Sequence, residues 1–513
     1  MPTTHQKVTL ADVLGTLKAT RGDWDGAMFL FFAQYAIPIV CAAPLLAAGF
    51  PAKIIMFYLL PAFVWQQVAC ELYCTWMGLR LARKEGRTDV TALPGTGVDL
   101  VGSLTITFAV VLPTWLSTKD ANLAWGLGLA CNLLYGIIKI VMLPFVEKLR
   151  SLLPRAALLG FIGGILLVFV GTTYGITLFT QPYVAFVTLA IVLLAMYGGL
   201  RTPVPPLAIV MILGGIIGYA VGYVPGFGEG FPGFYFFRFT PIGLFHLKDA
   251  FVKFAPLIIP LTVGYQMMWT LSNLEAAEAV GDKYSLREVL IADSLLTTIG
   301  GALLGSWMPT FVLTGHPGWK AAGARCGYTT LAAIIYLVTG LTGLLWAGMN
   351  LIPSGVIAGI FIWLAILLAE VAATESPRRH LPAVFLTFIP AGAYLVQSQF
   401  NPVFTALNID LAKVGTQLAG AGVFVDAVNT LAWGFPLTCI VWGSILVSII
   451  EHQPVKAGLW SFLGAALSLI GLMHAQNITF LAAPIPVILS YVIFGLVMII
   501  SKPLVPPLDQ IQS

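Results

Sequence analysis

Apolar runs alternate with short polar joints along almost the whole chain. Most runs approach the roughly 20 residues that a helix needs to cross a bilayer. Candidate spans begin near Ala27, Lys53, Val98, Ala121, Leu153, Thr180 and Val204. A second set begins near Phe254, Leu286, Pro317, Gly327, Pro353, His380 and Trp433, and two more follow near Val455 and Leu481. The pattern reads as seven, seven and two, an all-α polytopic membrane protein. Two stretches interrupt it: Leu93-Pro94-Gly95-Thr96-Gly97-Val98-Asp99, and Gly305-Ser306-Trp307-Met308-Pro309-Thr310 continuing through Thr314-Gly315-His316-Pro317-Gly318. Proline and glycine forbid a continuous helix there. Broken backbone at membrane depth is tolerated only inside protein or along a cavity. Breaks at corresponding places in two halves are the sequence mark of a secondary transporter's binding site. Both breaks are therefore expected at mid-membrane depth, close together, in non-helical backbone ahead of half-helices.

Loop charge supports this organisation. Lys and Arg concentrate in cytoplasmic loops. With the N-terminus inside, every second loop carries them: Arg80, Arg83, Lys84 and Arg87, then Lys148, Arg150 and Arg155, then Arg201, Lys283 and Arg287, Lys320 and Arg325, Arg378 and Arg379, and Lys456. An odd number of spans in the first unit makes the second start from the opposite side, so seven plus seven implies an inverted repeat. The expected divisions are a cytoplasmic N-terminus (1–26), a first repeat (27–223), an external connector (224–253), a second repeat (254–452), two extra C-terminal helices (453–501) and a cytoplasmic tail (502–513). A second external segment, 400–430, is partly amphipathic. The expected location is an inner or plasma membrane, with both termini cytoplasmic.

Composition narrows the function class. Of the residues, 58% are hydrophobic and 9% are charged, against about 25% charged in soluble domains. The net charge of +4 is scattered over short loops, which gives nucleic acid no basic face. The six cysteines show neither zinc spacing nor a secreted disulfide ladder. No Walker-type loop is present, and no metal or cofactor is expected.

Within the helix that opens the second half, Gln266, Trp269, Thr270 and Asn273 fall at i, i+3, i+4 and i+7 and share a face. A ring there can stack a flat substrate and amides can read its donors and acceptors; helix–helix contact is the plainer alternative. Thr310, Gly315 and His316, with Thr314, line the second break; Thr96, Gly97 and Asp99 line the first. Histidine is a side chain that changes charge near neutral pH, and a carboxylate just ahead of a helix is also an ordinary cap. Glu71 shares a face with Gln67 inside the second span, and intramembrane carboxylates are functional candidates by default. Glu275 and Glu278 lie toward Gly281-Asp282-Lys283, at the cytoplasmic rim. The candidates for proton coupling are Asp99, His316, Glu71 and Glu275; of the two residues in the breaks, Asp99 is expected to carry charge and His316 to act as a hydrogen-bond partner.

The stretch 305–325, with 273–282 ahead of it and Ser376-Pro377-Arg378-Arg379-His380 behind, resembles the xanthine/uracil permeases, the nucleobase–ascorbate transporter family. Thr91-Ala92-Leu93-Pro94-Gly95-Thr96-Gly97 is similar to the pattern of its adenine/guanine branch. The resemblance spans roughly residues 27–456. It implies a seven-plus-seven inverted fold with core and gate domains, and a broken third helix in each half preceded by a short strand. It further implies a nucleobase bound between the two half-helices and the eighth helix, and in many members proton symport and a homodimer. Two departures stand out: Trp269 occupies the place of the acidic residue usual on the eighth helix, and His316 falls near that of a second glutamate. The sequence thus reads as a secondary transporter of a flat, purine-type heterocycle, working by alternating access with a coupling proton or sodium ion. A carrier of small anions on the same fold is the first alternative. An intramembrane enzyme is the second, disfavoured because no reactive set of side chains stands at suitable spacing.

Overall fold

The computed structural model describes residues 9–200, 202, 206–223, 236–313, 315–407 and 409–506. The protein is an all-α polytopic membrane protein with two broken helices, each preceded by a short strand. In chain order the first half comprises α1 (Arg21–Ala47), α2 (Ala52–Glu85), β1 (Thr96–Val98), α3 (Leu100–Thr118), α4 (Ala121–Lys148), α5 (Arg155–Thr180), α6 (Pro182–Met196) and α7 (Pro206–Ala220). The second half comprises α8 (Leu247–Ala279), α9 (Leu286–Leu295), β2 (Thr310–Val312), α10 (His316–Ala321), α11 (Gly327–Leu341), α12 (Ser354–Thr374), α13 (Arg378–Asn401) and α14 (Phe435–Ile450). Two helices, α15 (Pro454–Leu469) and α16 (Ile485–Ile500), follow. Eight helices among the described residues are long and apolar enough to cross a membrane alone.

Three boundaries differ from expectation. The first helix of the second half begins at Leu247 rather than near 254, because Asp249 in its first turn favours helix there. The span expected from Pro317 is only the six-residue α10, since Gly323 adopts a left-handed conformation (φ +85°) just beyond it and ends the helix. Ahead of α14, the helix Val425–Ala432 meets it at a 77° bend, made by Gly434 with φ +66°. The segment 400–430 contains the short helix Leu411–Gly420.

Polar side chains at one end of the molecule tie distant helices together. Thr20 caps α1 by accepting from the Asp23 N–H, and Asp23 accepts in return from the Thr20 N–H. The other Asp23 oxygen accepts from the N–H groups of Arg325 (2.8 Å) and Tyr328 (3.0 Å). One buried carboxylate therefore caps α1 and steadies the start of α11. Helix α11 in turn packs along α1 and α2, while α12 packs on α5 and α6, and α15 pairs with α16 beside α14. Turns of π-helix precede Pro61 in α2 and Pro113 in α3, where the missing proline donor loosens the ladder, and another follows Pro260 in α8.

The two halves meet through their strands. β1 and β2 pair antiparallel, with Thr96 opposite Val312, Gly97 opposite Phe311 and Val98 opposite Thr310. Strands that open equivalent elements of oppositely inserted halves run in opposite directions, as these do.

Candidate functional site

The irregular backbone around the ribbon is almost fully accounted for, as a low-dielectric interior demands. In the second break, Trp125 donates to the Gly305 carbonyl (3.1 Å) and Asn132 to that of Ser306 (2.8 Å). Gln66 donates to the Met308 carbonyl (3.1 Å) and Lys139 to that of Thr310 (2.5 Å). The Thr310 N–H donates to Thr297 (3.1 Å), and the Asp99 N–H donates to the Pro309 carbonyl (2.7 Å). Side chains of α2, α4 and the turn after α9 thus hold β2 extended. Lys139 is itself fully buried and ion-paired with Asp293 at 2.8 Å, whose other oxygen accepts from the Thr310 hydroxyl at 2.6 Å. Thr310, a candidate for substrate contact, is occupied by this support.

Asp99 caps α3. Its carboxylate accepts from the N–H groups of Val101 (3.0 Å) and Gly102 (2.8 Å), from Gln266 Nε2 (2.7 Å) and from the Tyr265 hydroxyl (3.2 Å). The stripe on α8 thus reaches the first break through Gln266. One turn on, Trp269 lies over Phe311 of β2, with ring centroids 6.2 Å apart and planes at 28°; Tyr265 completes the cluster at 5.7 Å from Phe311. Two buried polar atoms here have no partner among the described residues: Gln266 Oε1, an acceptor, and Trp269 Nε1, a donor. Thr270 accepts from the Val312 N–H (3.4 Å), and the Asn273 amide donates back to the Trp269 carbonyl (2.9 Å).

A second polar group lies against β1 from α2 and α1. Glu71 is fully buried and abuts Gly95, where a Cβ would collide with its carboxyl; Gly95 also has φ +57°, a conformation that favours glycine. Among the described residues neither Glu71 oxygen has a hydrogen-bond donor. One turn earlier, Gln67 donates to Gln34 Oε1 (3.2 Å), and a Cβ at Gly97 would stand 2.9 Å from the Gln34 amide carbon. Gly97 is opposite Phe311 in the ribbon.

The structure places His316 elsewhere. Its Nδ1 is 3.1 Å from the Ala92 carbonyl and its Nε2 is 2.9 Å from Asp282. Asp282 is also bound by Arg87 (2.7 Å), Lys320 (2.8 Å) and the Thr91 N–H (3.2 Å). Burial works against the charge of Asp282, but the hydrogen bonds from His316, Lys320 and Arg87 prevail and hold its carboxyl below the usual range. The approach to β1 and the start of α10 are locked together at this charged end. Gly315 caps α10 in a left-handed conformation (φ +108°) with no side-chain cap. Glu275 is half-buried near the end of α8, and Glu278 pairs with Lys283. Of Thr96 only the backbone is described, and Thr314 lies outside the described residues.

The sequence pattern brought forward Gln266, Trp269, Asn273, Asp99 and Glu71, but not Tyr265, Phe311, Gln34 or Lys139. A lone lysine in the apolar run of α4 was a usable signal, because an intramembrane charge needs a partner. No protein-family model matches the chain, and no curated protein matches it in sequence. Solved structures do resemble it. The transmembrane domain of a cyanobacterium bicarbonate transporter, BicA, superposes with a TM-score of 0.49 at 14% identity, covering 74% of this chain and 96% of that one. SLC26A9 gives a TM-score of 0.48 at 13% identity, covering 72% of this chain and 62% of that one.

Proposed function

We propose that the protein is a secondary transporter for a flat, hydrogen-bonding heterocycle of the nucleobase class, purine-type, moved by alternating access around the ribbon. One observation carries this reading: an unpartnered acceptor, Gln266 Oε1, and an unpartnered donor, Trp269 Nε1, are buried beside the Trp269–Phe311 ring pair where the two breaks meet. A buried polar atom without a partner is costly, and a planar ligand with its own donors and acceptors removes that cost while stacking on the rings. A small inorganic anion suits the site less well. The N-terminus of α3, the natural anion seat, is already filled by the carboxylate of Asp99. The buried cation nearby, Lys139, is paired with Asp293.

The test is a thermal-shift screen of the purified protein with adenine, guanine, hypoxanthine, xanthine, uracil, bicarbonate and sulfate. A bound ligand raises the melting temperature by mass action. A purine should stabilise the wild type. In Trp269→Ala its affinity should fall about tenfold or more, equivalent to at least ~1.4 kcal/mol of lost stacking and hydrogen bonding. Stabilisation by bicarbonate or sulfate with no response to any base would replace this reading with the anion carrier.

A further inference from the structure

Three successive odd positions of the first break are each met by a polar side chain from a different helix. Gly95 meets Glu71 of α2, Gly97 meets Gln34 of α1, and Asp99 meets Gln266 of α8. The third contact belongs to the substrate site. The first does not, and it is the anomalous one. Asp99 has four donors and Asp293 has Lys139 and Thr310, whereas neither oxygen of Glu71 has any among the described residues. Gln67 Oε1, on the same face of α2, lacks a donor as well.

We infer that Glu71 is the site at which the coupling cation, a proton, is taken up and released during the transport cycle. This rests on the transport reading but uses none of the atoms proposed to bind substrate. A carboxylate charge with no donor inside a low-dielectric core is strongly disfavoured, and one proton on the carboxyl removes it. No lysine or arginine among the described residues forms an ion pair with Glu71. The ionisable groups that face it are the Tyr328 and Tyr336 phenols of α11 and, on its own helix, the Cys70 and Cys74 thiols. Tyr328 donates to the Ala92 carbonyl (2.7 Å) and Tyr336 to that of Leu30 (3.0 Å), so neither compensates a Glu71 charge.

The connection to substrate is physical. Gly95 immediately precedes β1 and its carbonyl accepts from the Leu313 N–H (3.1 Å), while Gly97 lies within β1 opposite Phe311. A base seated on Phe311 and Trp269 presses on the same ribbon that Glu71 touches from α2. A shift of β1 that opens the carboxyl to water or to a new donor changes its hold on the proton. By linkage, the protonation state then changes substrate affinity by the same factor.

The experiment uses the full chain in liposomes loaded with a pH-sensitive dye, with adenine, guanine, hypoxanthine and xanthine each tested as the driving solute. In the wild type, an inward purine gradient should carry protons in. In Glu71→Gln, purine-induced thermal stabilisation and purine exchange should persist, while proton entry and accumulation driven by a pH gradient should be lost. Glu71→Asp should retain proton entry with a displaced pH dependence. Because both variants can fail to fold, the wild type supplies its own readout. Dicyclohexylcarbodiimide adds to protonated carboxyls in apolar surroundings, so peptide mapping should find the adduct at Glu71, and saturating purine should change its yield. Wild-type proton entry by Glu71→Gln, purine uptake driven by sodium instead of protons, or the absence of a Glu71 adduct would each overturn the assignment. If no base stabilises or crosses, the transport reading itself has failed.

Discussion

The two breaks place a titratable residue at matching points, Asp99 after β1 and His316 after β2, and then use it differently. Asp99 turns inward: it caps its own half-helix and receives Gln266 and Tyr265 from α8. His316 turns to the charged end, where it joins Arg87 and Lys320 around Asp282. The first break thus has its carboxylate at the proposed substrate site, with the Gly95 carbonyl accepting from the Leu313 N–H and the Ala92 carbonyl from Tyr328. In the second, strand β2 is braced by Lys139, Asn132 and Gln66, and the short helix beyond it by the Asp282 cluster. Under the proposed function, equivalent places in the two breaks therefore divide the work: one side recognises, the other anchors.

The sharpest challenge to that division is Lys139→Ala. It leaves Asp293 buried and unpaired, so stability should fall by about 3–5 kcal/mol, read as a large drop in melting temperature in detergent. Lys139→Met combined with Asp293→Leu should recover much of the loss. A mild effect of the single change would mean that β2 does not depend on this brace. Next comes Asp99→Ala, which removes a cap and two side-chain bonds. It should cost about 2 kcal/mol and weaken purine binding as well, because Gln266 loses its anchor. If stability falls while affinity holds, Asp99 is a cap only.

The anchoring side should respond to acid. The Asp282 carboxyl is held below its ordinary range in the folded state, so its contribution is complete above the unfolded value of about 3.9 and is lost as pH falls through the lower folded value. Melting temperature should therefore decline below about pH 4 in the wild type, and Asp282→Asn should show a lower but flatter profile there. An equally steep profile in the variant would assign the acid response to other carboxyls. The smallest effect is expected for His316→Gln. Its amide can still meet Asp282, so stability should change by less than about 1 kcal/mol, with purine affinity unchanged. A large loss of affinity would bring His316 back into the substrate site and erase the contrast between the breaks.

Much of the architecture was legible because hydropathy and Pro/Gly breaks are signals along one dimension. Most spans, the two breaks and the polar stripe of α8 could be read from spacing alone, the strands came only with the family resemblance, and Glu71 declared itself as a carboxylate inside a span. What stayed hidden depends on which helices pack together. Lys139 acquires its meaning only when α4 lies on α9 and meets Asp293. Gln34 matters only because α1 brings it against Gly97. Asp282 read as a rim charge, since nothing local shows that Arg87, Thr91, His316 and Lys320 converge on it. Phe311 could not be told from a packing residue until the ribbon set it under Trp269.

The pairing of Thr96 with Val312 also sets an order of manufacture. A membrane protein emerges from the ribosome N-terminal end first, so β1 and the half-helix behind it enter the bilayer long before their partner strand exists. Until Thr310–Val312 arrives, the strand's backbone donors and acceptors lack the ladder they have in the finished protein, in a medium that supplies no water to replace it. Closing so long a loop is slow compared with local helix formation. The ribbon therefore closes only once the β2 strand of the second half has been made, and it joins the two halves directly.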